Sequence, residues 1–127
     1  DLDYFDYETE VAITQAKSKL SKQHAEMIVN IVRGLRESGK CEFAPTVRGC
    51  IMIAKTLKVL GITPIKSANE AFTQMCQDIL ASETSRVGSK TNQDRVKVIV
   101  KELVSKEIGA GKTISISKKM EKDTAIV

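Results

Sequence analysis

Arg48 is the side chain whose placement most calls for a chemical explanation. It lies in Pro45-Thr46-Val47-Arg48-Gly49-Cys50-Ile51-Met52-Ile53-Ala54-Lys55, where a Pro-Thr helix start leads into a very apolar run. Helix N-termini carry partial positive charge, so a cation in the first turn is mildly unfavourable unless an anion stands in front of it. A nucleotide phosphate is such an anion. A guanidinium holds phosphate through two parallel hydrogen bonds, which strengthen when a low-dielectric cleft closes around them. Lys55, seven residues on, falls on the same helical face and would extend a small basic edge. The competing reading of Arg48 is an exposed or core-rimming cation paired with a carboxylate.

Other candidate chemistry is weaker. Gly109-Ala110-Gly111-Lys112-Thr113 ends like a phosphate loop, but Lys106 stands where a Walker A loop needs its first glycine. A helical pattern also precedes it, where the motif requires a strand, so it reads as a helix-ending glycine cluster. His24 has no cysteine or carboxylate at metal-ligand spacing and no partner for a nucleophilic triad, and it reads as a polar surface residue. The carboxylates Asp1, Asp3, Asp6, Glu8 and Glu10 fall where the start of a first helix would place them. Cys41, Cys50 and Cys76 lack CxxC spacing, which argues against a disulfide framework and a zinc site and for reduced thiols filling a core.

A chain of 127 residues, 42% apolar and 28% charged, can bury one globular core. No apolar run reaches the roughly 20 residues that cross a bilayer, and no signal-peptide pattern is present, so a cytoplasmic domain without membrane contact is expected. The chain opens at Asp1 rather than methionine, as a piece of a longer protein or a processed product would. Charge is uneven. Residues 1–85 carry 10 basic and 11 acidic side chains, whereas 86–127 carry 10 and 5.

Spacing and capping signals predict helices throughout. Asp6 is the N-cap of a helix to about Ala16, with Glu8 and Glu10 in its first turn. Ser21 caps a long amphipathic helix through Ala25, Ile28, Val29, Val32 and Leu35, ended by Ser38-Gly39. The third helix runs from Pro45 or Thr46 to Leu60, stopped by Gly61 with Pro64 beyond, and its core face is Val47, Cys50, Ile51, Ala54 and Leu57. Ser67 and Glu70 form a capping box opening a fourth helix through Phe72, Met75, Cys76, Ile79 and Leu80. After a linker-like break at Ser85–Ser89, a fifth pattern at about 91–108 places Val96, Ile99, Val100, Leu103 and Val104 on one stripe and ends at Gly109. The alternation Thr113–Ser117 predicts a short strand-like arm or a flexible tail.

The run from Pro45 to Lys55, preceded by Ile28-Val29-Asn30-Ile31-Val32-Arg33, resembles the C-terminal helical lid of MoxR-type AAA+ ATPases. Leu2-Asp3-Tyr4, Glu8–Ile13 and Cys76–Arg86 extend the resemblance over residues 1–86, and the Cys-Ile-Met-Ile and Leu-Ala-Ser-Glu-Thr-Ser-Arg stretches tilt it to the gas-vesicle branch of that family. The resemblance implies an all-α fold, a four-helix AAA+ lid-type bundle (1–86), followed by a C-terminal extension (87–127) with one further helix and a flexible or short β-like tail. It implies that Arg48 is the sensor 2 arginine that touches the γ-phosphate of ATP; the support from Lys55 on the same face follows from spacing and not from the resemblance. The Walker A and Walker B residues would lie in a nucleotide-binding domain upstream, so this stretch alone would not hydrolyse ATP. ATP and Mg2+ would be cofactors of the intact parent, a ring-forming homo-oligomer, a hexamer, whose partners would include gas vesicle shell proteins. Lids of the Rubisco-activating and nitric-oxide-reductase-activating branches share the sensor arginine and the helix count.

A rival reading is a helical module whose basic tail binds nucleic acid or an acidic protein. The tail is poor in aromatic residues for base stacking, and no recognition-helix motif stands out, so nucleic acid is not the expected partner. The stripe of the fifth helix would either dock on the lid or recruit a partner.

Overall fold

The computed structural model describes residues 4–62 and 70–124, with side chains through Gly109. Its five helices are α1 (Tyr7–Ser18), α2 (Lys22–Ser38), α3 (Val47–Leu60), α4 (Glu70–Glu83) and α5 (Lys90–Thr124). The described residues contain no strand. Local rules set the starts. Asp6 Oδ1 accepts from the Thr9 amide at 2.7 Å, and Ser21 Oγ accepts from the His24 amide at 3.2 Å, each satisfying one of the amides that a helix start leaves unpaired. α3 begins at Val47 because Thr46, not Pro45, is its N-cap.

Helix ends obey the same logic. Gly39 and Gly61 both adopt the left-handed conformation, with φ of +67°, that closes α2 and α3. Among the described residues nothing lies within 4 Å of a Cβ added at Gly61, so Gly61→Ala meets backbone strain rather than a clash with them. It is expected to lower stability by about 1 kcal/mol. Chemical unfolding measures this as a shifted midpoint at unchanged slope.

The helices close into a cyclic arrangement: α2 packs on α3, α3 on α4, α4 on α5 and α5 back on α2, while α1 packs across α2 and α3. Ile28, Leu35, Ile53, Leu57, Phe72, Leu80, Val96 and Val100 fill the common interior and are fully buried. Each large apolar side chain there contributes about 1.5–3 kcal/mol of transfer free energy. α3 sits slightly rotated from the predicted face: Ile53 is buried with Cys50, Ala54 and Leu57, while Val47 and Ile51 are half-buried. α1, α2 and α4 all pack on α3, so its buried stripe is set by three neighbours.

The largest departure concerns the C-terminal part. Gly109 does not stop a helix, and the strand-like arm predicted at Thr113–Ser117 is helical, because α5 continues to Thr124. Glycine ends a helix when it takes positive φ; Gly39, Gly61 and Gly88 do, and Gly109 does not. A glycine in helical conformation costs only about 1 kcal/mol. Five alternating residues make no ladder without a partner strand. The stripe of α5 is docked rather than free: Val96, Val100 and Val104 are buried, and Ile99 and Leu103 pack against the same core. Leu103 lies over Gly34 of α2, where an added Cβ would sit 2.7 Å from Leu103 Cδ2, so the two helices approach closely. Ser67, the cap of the predicted Ser67–Glu70 box, and Pro64 lie outside the described residues, and α4 is described from Glu70 onward.

Candidate functional site around Arg48

The backbone at the start of α3 is held by its own cap. The Arg48 amide donates to Thr46 Oγ1 at 3.2 Å, and the Gly49 amide donates to the Thr46 carbonyl at 3.0 Å. The first turn holds no acidic residue. The Arg48 side chain is exposed and makes no hydrogen bond or ion pair within 4 Å among the described residues. It stands on a groove of about 610 Å³ between α3 and α4, lined also by Met52, Asp78, Ile79, Ser82 and Glu83. Met52 is 43% exposed there, so the groove wall is apolar with charge at one end.

Glu83 supplies the opposing charge. Burial raises its carboxyl pKa above the ordinary value, and the nearby Arg48 guanidinium counters part of that rise. Glu83 Oε1 is buried without a hydrogen-bond partner among the described residues. It rests directly against Gly49: an added Cβ there would collide with Glu83 Oε1 and stand 3.2 Å from Leu80 Cδ2. Glycine at this position is what allows α4 to approach the first turn of α3. Lys55 is exposed but does not line the groove, so the structure does not bring the two predicted cations into one cavity.

What fixes the α3 start is a buried charge cluster that spacing did not reveal. Glu10 of α1, its side chain 1% exposed, accepts from Arg33 Nη1 at 2.8 Å and from Arg36 Nη2 at 2.8 Å, with Arg36 Nη1 at 3.3 Å. Arg36 Nε donates to the Pro45 carbonyl at 2.9 Å, one residue before the α3 cap. The Tyr4 ring lies 4.2 Å from the Arg36 guanidinium carbon, and Tyr7 lies 5.8 Å from that of Arg33. Glu10 therefore does more than complement the α1 terminus. The available signal was a pair of arginines at i and i+3 flanking the apolar stripe of α2. A second tie joins the lead-in to the end of α4: the Phe43 amide donates to the Thr84 carbonyl at 3.0 Å, and the Arg86 amide to Glu42 Oε1 at 2.8 Å.

The remaining candidates fall away from this end. His24 is half-buried, and burial lowers its pKa. Cys50 and Cys76 are buried free thiols; burial pushes Cys50 up to about 12 and raises Cys76 as well, which makes both poor nucleophiles. Gly109–Thr113 lies inside α5 and forms no loop. Among the described residues, no group of three or more His, Cys, Asp or Glu side chains could hold a metal ion, and no helix is long and apolar enough to cross a membrane. As a nucleotide pocket the groove is incomplete, since it offers one exposed guanidinium with the Glu83 carboxyl near it, while the other lining carboxylate, Asp78, is paired with Lys97. Such a set fits one contact to a phosphate oxygen, and the rest of a triphosphate would need other groups.

Comparison with known proteins gives a distant similarity. Over 82 residues the chain is 33% identical to the gas vesicle ATPase GvpN of Ancylobacter aquaticus, a match that takes in 65% of this chain and 23% of that protein. The chain thus spans less than a quarter of the length of this curated relative. No family model matches the chain. No solved structure matches it either.

Proposed function

We propose that this chain is the helical lid of a gas-vesicle-type AAA+ ATPase of the MoxR group and that Arg48 is its nucleotide sensor. The observation that carries this reading is Arg48 itself: an exposed guanidinium without an ion pair among the described residues, placed in a helix first turn that disfavours cations. The similarity to a gas vesicle ATPase over 82 residues supports it. In this reading residues 1–86 are the lid, and the 87–127 extension is a buttress whose helix shares the core of the lid. A nucleotide-binding domain elsewhere in the parent supplies the catalytic groups, and the parent works as a homo-oligomeric ring on gas vesicle shell proteins.

ATP with Mg2+ supplies the transferable γ-phosphate and its negative charge. Arg48 donates to a phosphate oxygen at the groove, where among the described residues the Glu83 carboxyl is the group that offsets its charge, Asp78 being paired with Lys97 Nζ at 3.7 Å. The apolar wall of Met52 and Ile79 excludes water once another domain covers it, which strengthens the contact. The packed helices behind α3 then move with Arg48 as one body.

The test is turnover of the intact ATPase at saturating ATP and Mg2+. Arg48→Ala is expected to lower turnover by about tenfold or more with the helical signal and unfolding midpoint retained, while Lys55→Ala changes it by less than about twofold. Turnover unchanged by Arg48→Ala would make Arg48 a surface residue and remove the reading.

A further inference from the structure

Resting on the reading of Arg48 as a phosphate sensor, we infer that Arg36 is the residue that positions it, and that Glu10 and Tyr4 hold Arg36 in register with the start of α3. The Arg36 guanidinium is engaged on two edges and one face. Its outer edge forks onto the two Glu10 oxygens, its Nε donates to the Pro45 carbonyl, and its face is covered by the Tyr4 ring. Its side chain is only 10% exposed, so water does not compete well for these bonds.

The Pro45 carbonyl is one peptide from Thr46, whose side chain and carbonyl accept from the Arg48 and Gly49 amides. A shift of Arg36 therefore moves the cap, and with it the residue two positions beyond. Lysine carries the same charge but cannot fork onto a carboxylate and donate sideways to a carbonyl at once. Tyr4 precedes α1, and Phe5 beside it offers its carbonyl to Arg33 Nη1 at 3.4 Å. The segment leading into α1 is thus tied to the α3 start through Arg36 directly and through Arg33 by way of Glu10, and a displacement of that segment reaches Arg48 without crossing the apolar core.

A residue acting only on stability and one acting through Arg48 differ in coupling, which a double-substitution cycle reads. In the intact ATPase, R36K is expected to lower turnover by about tenfold, and R36K/R48A to match R48A within about twofold, because a misplaced sensor and an absent one fail in the same way. Losses that multiply would overturn the inference and leave the role of Arg48 standing. A silent R48A would remove the proposed function, and the positioning claim would then be decided on this chain by amide NMR. There, Tyr4→Ala removes a ring from a residue 39% exposed and leaves Glu10 and Arg36 unsubstituted. The expected result is displaced Arg48 and Gly49 amide resonances with the Val98 amide on the outer face of α5 unmoved. Arg48 and Gly49 resonances that stay in place in Tyr4→Ala would overturn the inference, including where R36K fails to fold.

Discussion

Glu10→Ala is expected to destabilise the fold by about 3–5 kcal/mol, the range for removing one partner of a buried ion pair. The loss comes less from the missing attraction than from what remains. Arg36 would keep its charge, 10% exposed, with no counter-ion, and Arg33, 27% exposed, would recover only part of its hydration. Three charge-assisted hydrogen bonds disappear together. A domain of this size has about 5–15 kcal/mol of stability in total, so the variant would unfold well below the wild-type urea midpoint. Glu10→Gln should lose less, because its amide oxygen still accepts from one arginine. A Glu10→Ala change below about 1 kcal/mol would mean that water replaces the carboxylate, and the cluster would then be a poor anchor for the α3 start.

Phe72→Ala should cost a similar amount, about 3–5 kcal/mol, by a different mechanism. Phe72 is the largest fully buried side chain among the described residues, and on α4 Cys76, Leu80 and Ala81 are buried with it. Truncation removes transfer free energy and leaves a cavity in the core beside α4, which close-packed neighbours fill only in part. Calorimetric or urea unfolding measures the loss. Amide exchange should rise first in α4, because the helix retains few other apolar anchors. Uniform acceleration across all five helices would instead mean that α4 unfolds only with the whole domain.

The two predictions differ in how visible their residues were. Phe72 was legible as core from its spacing with Cys76 and Leu80 on one helical stripe. Glu10 was legible only as an acid in a first turn, which is a local role. Its partners lie 23 and 26 residues away on another helix, and no local rule specifies that separation. Arg48 stood out because the sign of its charge conflicts with its place in the helix, a conflict visible within a few residues. The groove in front of it, the Glu83 carboxyl and the need for glycine at position 49 involve α4, so spacing within α3 could not disclose them.

The sequence by itself determined that α1 to α4 form where they do, the caps at Asp6 and Ser21, and the glycine stops after α2 and α3. These depend on hydrogen bonds and backbone preferences that span four residues or fewer. The tertiary structure decided which way α3 turns its stripe, whether α5 docks, whether Gly109 ends a helix, and which acid meets which base. Those outcomes depend on surfaces brought together from distant parts of the chain, where burial turns a solvated charge into one that must be paired and an ambiguous apolar stripe into one side of a core.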